Sequence, residues 1–358
     1  MSQESIPMVN VAKEIKPMRG AIDKAIANVL DSGRFIQGPE VVGFENELAE
    51  MIGAKFCVGV SSGTDALLCS LMGLGVGHGD EVVTTAFTFF ATGGVIARLG
   101  ATPVFADIDP QNFCLDPNSA LNKISKKTKA VMPVNLFGRL AELPNTDVPI
   151  LEDAAQSIGT SPPRGIAAGI SFFPTKNVGA VGDAGAILIN DSDFAEKIRK
   201  LRNHGAKPKY YHAMVGGNFR LDAIQAAILR VKLPFLNEWN TIRKENAKRY
   251  RNAFASAALP PEFQCPEDGE EHIYHQFTLR VPKRDELRGY LKERGIAAEV
   301  YYPVPLHLQE CFKDLGYKKG SLPHTEKACE EVLSLPIHPT ISVSQQERVI
   351  DAVLQFYK

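Results

Sequence analysis

The first half of the chain alternates short apolar runs with amphipathic segments. In GPEVVGFENELAEMIGA the apolar residues Val41, Phe44, Leu48 and Ile52 recur every three or four positions, which predicts a helix with one buried face. Apolar runs follow at KFCVGVS, DEVVTTA, ATPVFADID, KAVMPVNL and VPILEDAA, with helical patterns after the first three, and GAILIN predicts a further strand. Strands separated by helices pair in parallel through crossover connections, so we predict a doubly wound α/β domain with a mostly parallel sheet.

The pattern becomes mixed toward the C-terminus. An apolar stripe from Leu221 to Trp239 predicts a long helix with a kink at Pro234, and the charged run IRKENAKRYRNAF continues it. Strand-like HQFTLRV, amphipathic RDELRGYLKERG, strand-like AAEVYYPV and helical SQQERVIDAVLQFY follow. We therefore predict a large α/β domain over residues 1–245 and a smaller α+β domain over residues 246–358.

Composition narrows the class of protein. The chain has 358 residues, of which 44% are hydrophobic and 23% charged, and its formal net charge is -1. These are values of a globular protein, and the balanced charge argues against a dedicated binder of nucleic acid or of membrane surfaces. The six cysteines have no CxxC or CxxH spacing, which favours reduced thiols over a metal site or disulfides.

The N-terminal segment and the apolar runs bear on location. MSQESIPMVNVAKEIKP contains no apolar core of a signal peptide, and the uncharged run from Val82 to Ala97 is too short and too polar to span a bilayer. We expect a cytoplasmic protein without membrane segments.

A first candidate site lies in VSSGTDALLCSLMG. Here a strand leads through Ser61, Ser62, Gly63 and Thr64 into a helix, whose unpaired N–H groups and positive dipole end suit a phosphate. A plain serine N-cap with a glycine turn explains the same residues equally well. The chain has no Walker A motif and no GxGxxG after its first strand, so sites for nucleoside triphosphates or dinucleotides are disfavoured.

Two further segments carry polar groups beside apolar strands. PILEDAAQSIG places Asp153 and Gln156 at a strand end, where a buried aspartate can hold a protonated heterocyclic nitrogen, although a helix cap is the competing explanation. SFFPTKNVGAVGDAGA places Lys176 between aromatic residues and glycines, a setting that can aim and desolvate an imine-forming lysine; an ordinary loop lysine is the alternative. A phosphate cradle, a pyridinium partner and an imine-forming lysine together indicate pyridoxal phosphate.

These segments, in this order and with this spacing, resemble the DegT/DnrJ/EryC1/StrS family of sugar aminotransferases. The similarity also includes GRFIQGPEVVGFENELAE, GDEVVTTAFTFFAT, NFRLDAIQAAIL, YYPVPLHLQ and LPHTEKACEEVLSLPIHP, and so covers nearly the whole sequence. It implies the fold of aspartate aminotransferase, which is fold type I of the pyridoxal-phosphate enzymes.

The resemblance also implies roles for single residues. Lys176 would form the imine with pyridoxal 5'-phosphate and later carry the proton, and Asp153 would pair with the pyridine nitrogen. The other implied cofactor-binding residues are Gln156 near the phenolic oxygen, Gly63, Thr64 and Ser171 at the phosphate, and Phe89 on the ring face, with Phe87 and Phe90 as rivals for that last role.

The same resemblance implies a homodimer with shared active sites. Asn218 would reach the phosphate of the neighbouring subunit. Arg220 is either structural or contacts a substrate carboxylate, and Tyr301, Tyr302 and His307 belong to the segment that approaches a nucleotide sugar in relatives. For His307 a structural role is an equal alternative.

The predicted function is amino transfer from glutamate to a keto sugar carried by a nucleotide diphosphate. Lysine at position 176 favours this reaction over sugar dehydration, because members that dehydrate have histidine there. Two alternatives remain open: a glutamine-dependent aminotransferase of keto cyclitols, and a non-catalytic regulatory protein that binds pyridoxal phosphate. The short segments between residues 139 and 170 allow at most one helical turn after Gly138 and predict an abbreviated or displaced strand before Ser171.

Overall fold

A computed structural model describes residues 4–208 and 210–358. Seven strands form the central sheet: β1 (Phe56–Val60), β2 (Glu81–Thr85), β3 (Thr102–Ala106), β4 (Thr128–Met132), β5 (Leu151–Asp153), β6 (Ala167–Ser171) and β7 (Gly185–Ile189). The helices around this sheet are α1 (Val11–Ile15), α2 (Arg19–Ser32), α3 (Pro39–Ile52), α4 (Gly63–Gly73), α5 (Phe90–Arg98), α6 (Pro117–Leu121), α7 (Ser192–Leu201) and α8 (Ala223–Lys232).

The sheet is parallel except for one strand. Its ladders run in the order β1-β7-β6-β5 and β3-β2-β4, and the parallel bridges Val131 to Ile150 and Val134 to Asp153 join β4 to β5. Only β7 is reversed, since it pairs antiparallel with both β1 and β6. The predicted mostly parallel sheet is confirmed, and the carboxyl ends of the six parallel strands lie at one edge.

Helices cover both faces of this sheet. Alternate residues of β1 and β7 enter opposite cores: Cys57 and Leu188 pack with α3 and α8, whereas Val58 and Ile187 pack with α4 and α7. Such alternation follows from the two-residue period of a strand. Because both faces are buried, the strands read as continuous apolar runs in the sequence.

The C-terminal residues build a separate core. It contains α9 (Leu236–Ala255), β8 (Phe277–Arg280), α10 (Arg284–Glu293), β9 (Val332–Leu335) and α12 (Val343–Phe356), with α11 (Pro323–Glu331) preceding β9. β8 and β9 pair antiparallel. Ile6 also enters this core and bridges to Ile296, so the N-terminal segment packs with the end of the chain. The domain boundary at residue 245 falls inside α9 and stays a prediction.

The predicted long helix near Pro234 is interrupted. α8 ends at Lys232, residues Leu233–Phe235 form a single 3-10 turn, and α9 begins at Leu236. Proline lacks the amide hydrogen that would continue the helical ladder, which is why the break occurs there. The buried side chains of α9 recur every three or four residues from Leu236 to Phe254.

Two expectations from the sequence need correction. AAEVYYPV is not a strand: only Glu299 forms an isolated bridge, to Ser334, and the apolar character of this segment reflects packing of Val300, Tyr301 and Tyr302 against a core rather than strand pairing. The strand before Ser171 is neither abbreviated nor displaced, because β6 has five residues and lies between β5 and β7. The expected lack of a crossover helix after Gly138 is confirmed, with only the turn Leu136–Gly138 before β5.

Among the residues that the structure describes, no helix combines the length and the apolar character needed to cross a bilayer.

Candidate active site

The predicted chemistry converges at the carboxyl edge of the sheet. β1 leads into Gly63, β2 precedes Phe89, β5 ends at Asp153, and β6 ends at Ser171 and leads to Lys176. These strands are parallel, so their carboxyl ends face the same side. Ligands of α/β sheets bind at this edge, and the fold therefore gathers side chains that lie more than 100 residues apart in sequence.

The start of α4 forms a close backbone cradle with the end of β6. A Cβ atom on Gly63 would lie 2.6 Å from Cβ of Ser171, and one on Gly185 would lie 2.3 Å from the carbonyl oxygen of Ser62. The Ser62 side chain caps the helix by accepting the N–H of Asp65 at 3.0 Å. Glycine is required where these segments approach, and Gly63, Thr64 and Ser171 meet at a helix N-terminus that suits a phosphate.

Asp153 is a buried carboxylate held by two hydrogen bonds. Thr92 on α5 donates its hydroxyl to Oδ2 at 2.8 Å, and the backbone N–H of Ala155 donates to Oδ1 at 3.2 Å. Burial raises the pKa of Asp153, while these bonds and the nearby Lys176 oppose the rise. The helix-cap explanation is not favoured, since no α-helix begins at this residue. An oriented, desolvated carboxylate of this kind suits a cationic ring nitrogen.

Lys176 lies in a tightly folded loop between β6 and β7. Its backbone N–H donates to the carbonyl of Phe173 at 2.8 Å, and Ala180 donates to Phe172 at 2.8 Å. A Cβ atom on Gly179 would lie 2.3 Å from the carbonyl oxygen of Pro174, so only glycine permits this fold. The ammonium group of Lys232 donates a hydrogen bond to the carbonyl oxygen of Gly179 and so holds the part of the loop that follows Lys176.

The residue after Lys176 anchors the loop to the rest of the molecule. Asn177 is buried, donates Nδ2 to Oδ1 of Asn240 at 2.8 Å and contacts Nδ1 of His275 through its own Oδ1 at 2.9 Å. Asn240 belongs to α9 and His275 lies just before β8. The lysine loop is thus tied both to α9 and to the segment before β8.

The half-buried ammonium of Lys176 is easier to deprotonate than an ordinary lysine. Burial lowers its pKa from 10.5 to about 8, and the Asp153 carboxylate limits the fall. Since only the neutral amine attacks an aldehyde, we expect labelling of Lys176 in the cofactor-free protein to accelerate as pH rises, with a midpoint near 8. Peptide mapping after brief treatment with an amine-reactive reagent measures this profile, and a midpoint above 10 would contradict the environment described.

The three aromatic candidates for the ring face differ in exposure. Phe87 is fully buried, and Phe90, which is 48% exposed, has one ring face stacked on Phe312 with ring centroids 5.8 Å apart. Phe89 is 59% exposed and its ring centroid lies 6.4 Å from that of Tyr302. Of the three, Phe89 has the free ring surface that stacking on a cofactor requires, so the assignment of that role to Phe89 is retained as a proposal.

Gln156 and Tyr302 form one hydrogen-bonded unit. The N–H of Phe137 donates to Oε1 of Gln156 at 2.6 Å, and Nε2 of Gln156 lies 3.2 Å from the Tyr302 hydroxyl. The rings of Tyr301 and Tyr302 have centroids 5.9 Å apart. The structure brings these two tyrosines and Gln156 together with Phe89, as expected for a common site.

The remaining predicted residues have other surroundings. Asn218 is exposed, and Arg220 donates Nη1 to Oδ1 of Asn203 at 2.8 Å. His307 is buried, with Nε2 3.1 Å from Oε1 of Glu326 and its ring against Tyr317. These contacts match the structural alternative for His307.

Several residues of the site were missed in the sequence. Thr92 lies within the apolar helix FATGGVIARLG, where a threonine reads as a core residue. Asn177 stands beside Lys176, and its position directly after the candidate lysine was the only local signal. His275 precedes a strand 98 residues later, and no local pattern links it to Asn177.

The arrangement fits pyridoxal phosphate in three independent respects. The cradle at Gly63 and Ser171 is too narrow for any side chain, Asp153 is a desolvated carboxylate, and Lys176 lies within electrostatic range of it with a lowered pKa. Phosphate, pyridinium nitrogen and aldehyde thus each find a complementary group.

Comparison with known proteins agrees with this geometry. A family model described as the DegT/DnrJ/EryC1/StrS aminotransferase family matches residues 17–354. The chain is 45% identical to the "pleiotropic regulatory protein" of Geobacillus stearothermophilus over 99% of both chains. It is 40% identical to the dTDP-3-amino-3,4,6-trideoxy-alpha-D-glucose transaminase of Streptomyces venezuelae, over 98% of this chain and 96% of that one.

A solved structure supports the fold assignment. NtdA from Bacillus subtilis, crystallised with bound cofactor PMP, superposes with a TM-score of 0.93 at 30% identity, over 99% of this chain and 86% of that one. The predicted fold of the pyridoxal-phosphate aminotransferases is confirmed by this similarity. Because the family model and the relatives span nearly the full length, the chain belongs to the DegT/DnrJ/EryC1/StrS aminotransferase family.

Proposed function

We propose that the protein is a pyridoxal-phosphate-dependent aminotransferase that transfers an amino group from glutamate to a keto sugar linked to a nucleotide diphosphate. One observation carries this proposal: Lys176, with its lowered pKa, and the buried Asp153 interact at the carboxyl edge of the sheet, beside the Gly63 cradle. A lysine, a carboxylate and a phosphate site in this arrangement serve amino transfer.

The predicted site residues have separate roles in binding the cofactor and in moving the proton. When bound, pyridoxal phosphate supplies an aldehyde carbon that links to amines and a cationic ring that accepts electrons. Asp153 would hold the positive charge on the ring nitrogen, and Gly63, Thr64 and Ser171 would bind the phosphate. Lys176 Nζ is the amine that would bond to the aldehyde carbon, and as a neutral base it would take the proton from the donor's Cα and hold it for the return transfer.

The acceptor is a nucleotide-linked keto sugar. This agrees with the name of the Streptomyces venezuelae relative, a transaminase for a dTDP-linked amino sugar. Tyr301 and Tyr302, half-buried beside Phe89, are the residues that we propose to contact the sugar. Arg220 is retained as a candidate for contact with a substrate carboxylate, with a structural role as the alternative.

The functional unit is proposed to be a homodimer. Phe173 and Val181 belong to the loop that carries Lys176, and Phe89 follows β2 at the same edge of the sheet; 50%, 46% and 59% of their surfaces are exposed. Apolar side chains clustered at a polar site favour coverage by another protein surface. A second copy of this chain would cover them and bring the exposed Asn218 toward the phosphate cradle.

A two-stage assay tests the proposed reaction. Purified protein loaded with pyridoxal phosphate is mixed with L-glutamate alone, and the yellow band should give way to that of the amine form as 2-oxoglutarate appears. A panel of nucleotide-linked keto sugars is then added, with keto cyclitols and glutamine as rival substrates, and products are identified by mass spectrometry. Amination of cyclitols alone, or use of glutamine alone, would contradict the proposal.

A regulatory role is the second candidate, because the Geobacillus stearothermophilus relative at 45% identity is named a regulatory protein. A non-catalytic protein would bind the cofactor through Lys176 and keep its yellow band with every amino donor. Conversion by glutamate in the first stage of the assay would therefore exclude it.

A further inference from the structure

A cleft opens beside the lysine loop, at Thr175. It encloses about 300 Å³, and its polar lining comes from Thr175, Arg243, His275, Gln276 and Tyr301. This volume is at the lower end of the range for small-molecule sites, which is about 300–1,000 Å³. Thr175 is the neighbour of Lys176, so a molecule in the cleft would lie next to the reacting amine.

Arg243 is an unusual residue for such a wall. Its side chain is 3% exposed and comes from the middle of α9. Nη1 makes only long contacts, 3.3 Å to the carbonyl of His275 and 3.4 Å to that of Tyr274. Within the described part of the chain, its Nε has no hydrogen-bond partner. A buried guanidinium with an unused donor is costly unless an anion completes it.

The charges around Arg243 leave a positive excess. Glu14 lies within electrostatic range of both Arg243 and Lys232, so one carboxylate serves two cations. Burial lowers the pKa of Arg243 to about 10, and the group is still a cation at neutral pH. The residues that line the cleft include no aspartate or glutamate.

His275 ties this cation to the reacting lysine. Burial lowers the pKa of His275 well below its ordinary value, and both Lys176 and Arg243 contribute to the lowering. The imidazole is therefore within electrostatic range of each, and it is held neutral against Asn177. Arg243 and His275 line the cleft together with Thr175, the residue before Lys176, so Arg243 and the lysine loop border the same cleft.

We propose that Arg243 binds a carboxylate of the amino donor in this cleft. This inference rests on the proposed function and deepens it, because it makes the site selective for amino acids over amines without an acid group. The guanidinium orients the donor so that its Cα–H bond lies near Lys176, and it is a binding residue that takes no part in the proton transfer.

The glutamate half-reaction of the holoenzyme tests the inference. In Arg243→Met, which keeps the length of the apolar stem, we expect the glutamate concentration for half-maximal rate to rise about 10- to 100-fold, as for loss of a charged hydrogen bond. The reverse half-reaction, in which the nucleotide-linked amino sugar reacts, should change less than about threefold because that amine carries no carboxylate at this cleft. For Arg243→Lys, the glutamate concentration for half-maximal rate should lie between those of the wild type and Arg243→Met.

The outcomes separate the possible failures. Wild-type protein that does not react with glutamate would remove the proposed function itself. Wild-type protein that reacts, with Arg243→Met unchanged or impaired equally in both half-reactions, would overturn only the role of Arg243. Crystals of the wild-type holoenzyme soaked in 2-oxoglutarate give a readout that does not depend on a folded variant: a carboxylate bonded to Arg243 supports the inference, and one bound elsewhere overturns it.

Discussion

Replacing Lys176 with alanine is expected to abolish both covalent attachment of pyridoxal phosphate and amino transfer. The variant loses the nitrogen that joins the cofactor and also the base that carries the proton. Loss of general base catalysis alone accounts for a decrease of about 10²–10⁴-fold in turnover. The measurements are the yellow band of the protein, the mass of the Lys176 peptide after borohydride reduction, and the rate of 2-oxoglutarate formation.

Two matched variants make this result specific. Lys127 is exposed and lies outside the site, so Lys127→Ala should keep colour and turnover. Lys176→Arg retains a cation but cannot form the imine, and it should be as inactive as alanine. Unfolding by urea should show Lys176→Ala to be no less stable than wild type, because a desolvated ammonium is removed. A yellow, active Lys176→Ala protein would refute the assigned chemistry.

Asp153→Asn is expected to lower turnover while leaving the cofactor attached. Asparagine keeps the shape of the side chain and the contact with Thr92, but it cannot offer a negative charge to the ring nitrogen. Removing one oriented electrostatic partner from a dry site costs on the order of 10²–10³-fold in turnover. The yellow band should persist in this variant, since Lys176 is intact. The glutamate half-reaction, measured by stopped flow, should be slow.

Thr92→Val provides the graded comparison for Asp153. It removes the 2.8 Å hydrogen bond to the carboxylate without changing the charge. A single hydrogen bond to a charged group contributes about 1.5–3 kcal/mol, so we expect a slower half-reaction but a smaller loss than for Asp153→Asn. A Thr92→Val protein more impaired than Asp153→Asn would show that orientation outweighs charge at this position.

The parts of the fold that were predictable are those that depend on local pattern. The apolar runs that became β1 to β3 are each followed by a helix, and two buried faces make the strands of this sheet stand out as continuous apolar stretches. The break at Pro234 follows equally from a single residue. The reversal of β7 is different, since antiparallel or parallel pairing of GAILIN depends on strands distant in sequence.

The site was predictable where its reactive residues lie within a single short segment of the sequence. Gly63, Asp153 and Lys176 each lie at or shortly after the carboxyl end of a parallel strand, so parallel pairing alone brings them to one edge. Thr92, His275 and Arg243 were not assigned to the site, because each reaches it from a helix or loop that faces the edge only in the folded chain. AAEVYYPV shows the opposite error, in which an apolar and aromatic segment that packs against a core without strand pairing was predicted to be a strand.

The continuity of α9 has a further consequence. Its first turns pack under the large sheet through Leu236 and Trp239, its middle supplies Asn240 and Arg243, and Tyr250 near its end belongs to the C-terminal core. One extra residue in this helix would rotate everything beyond it by about 100° about the axis. Insertions and deletions among homologous genes should therefore avoid α9 and accumulate in surface loops, because the length of this helix sets the spacing between the two cores.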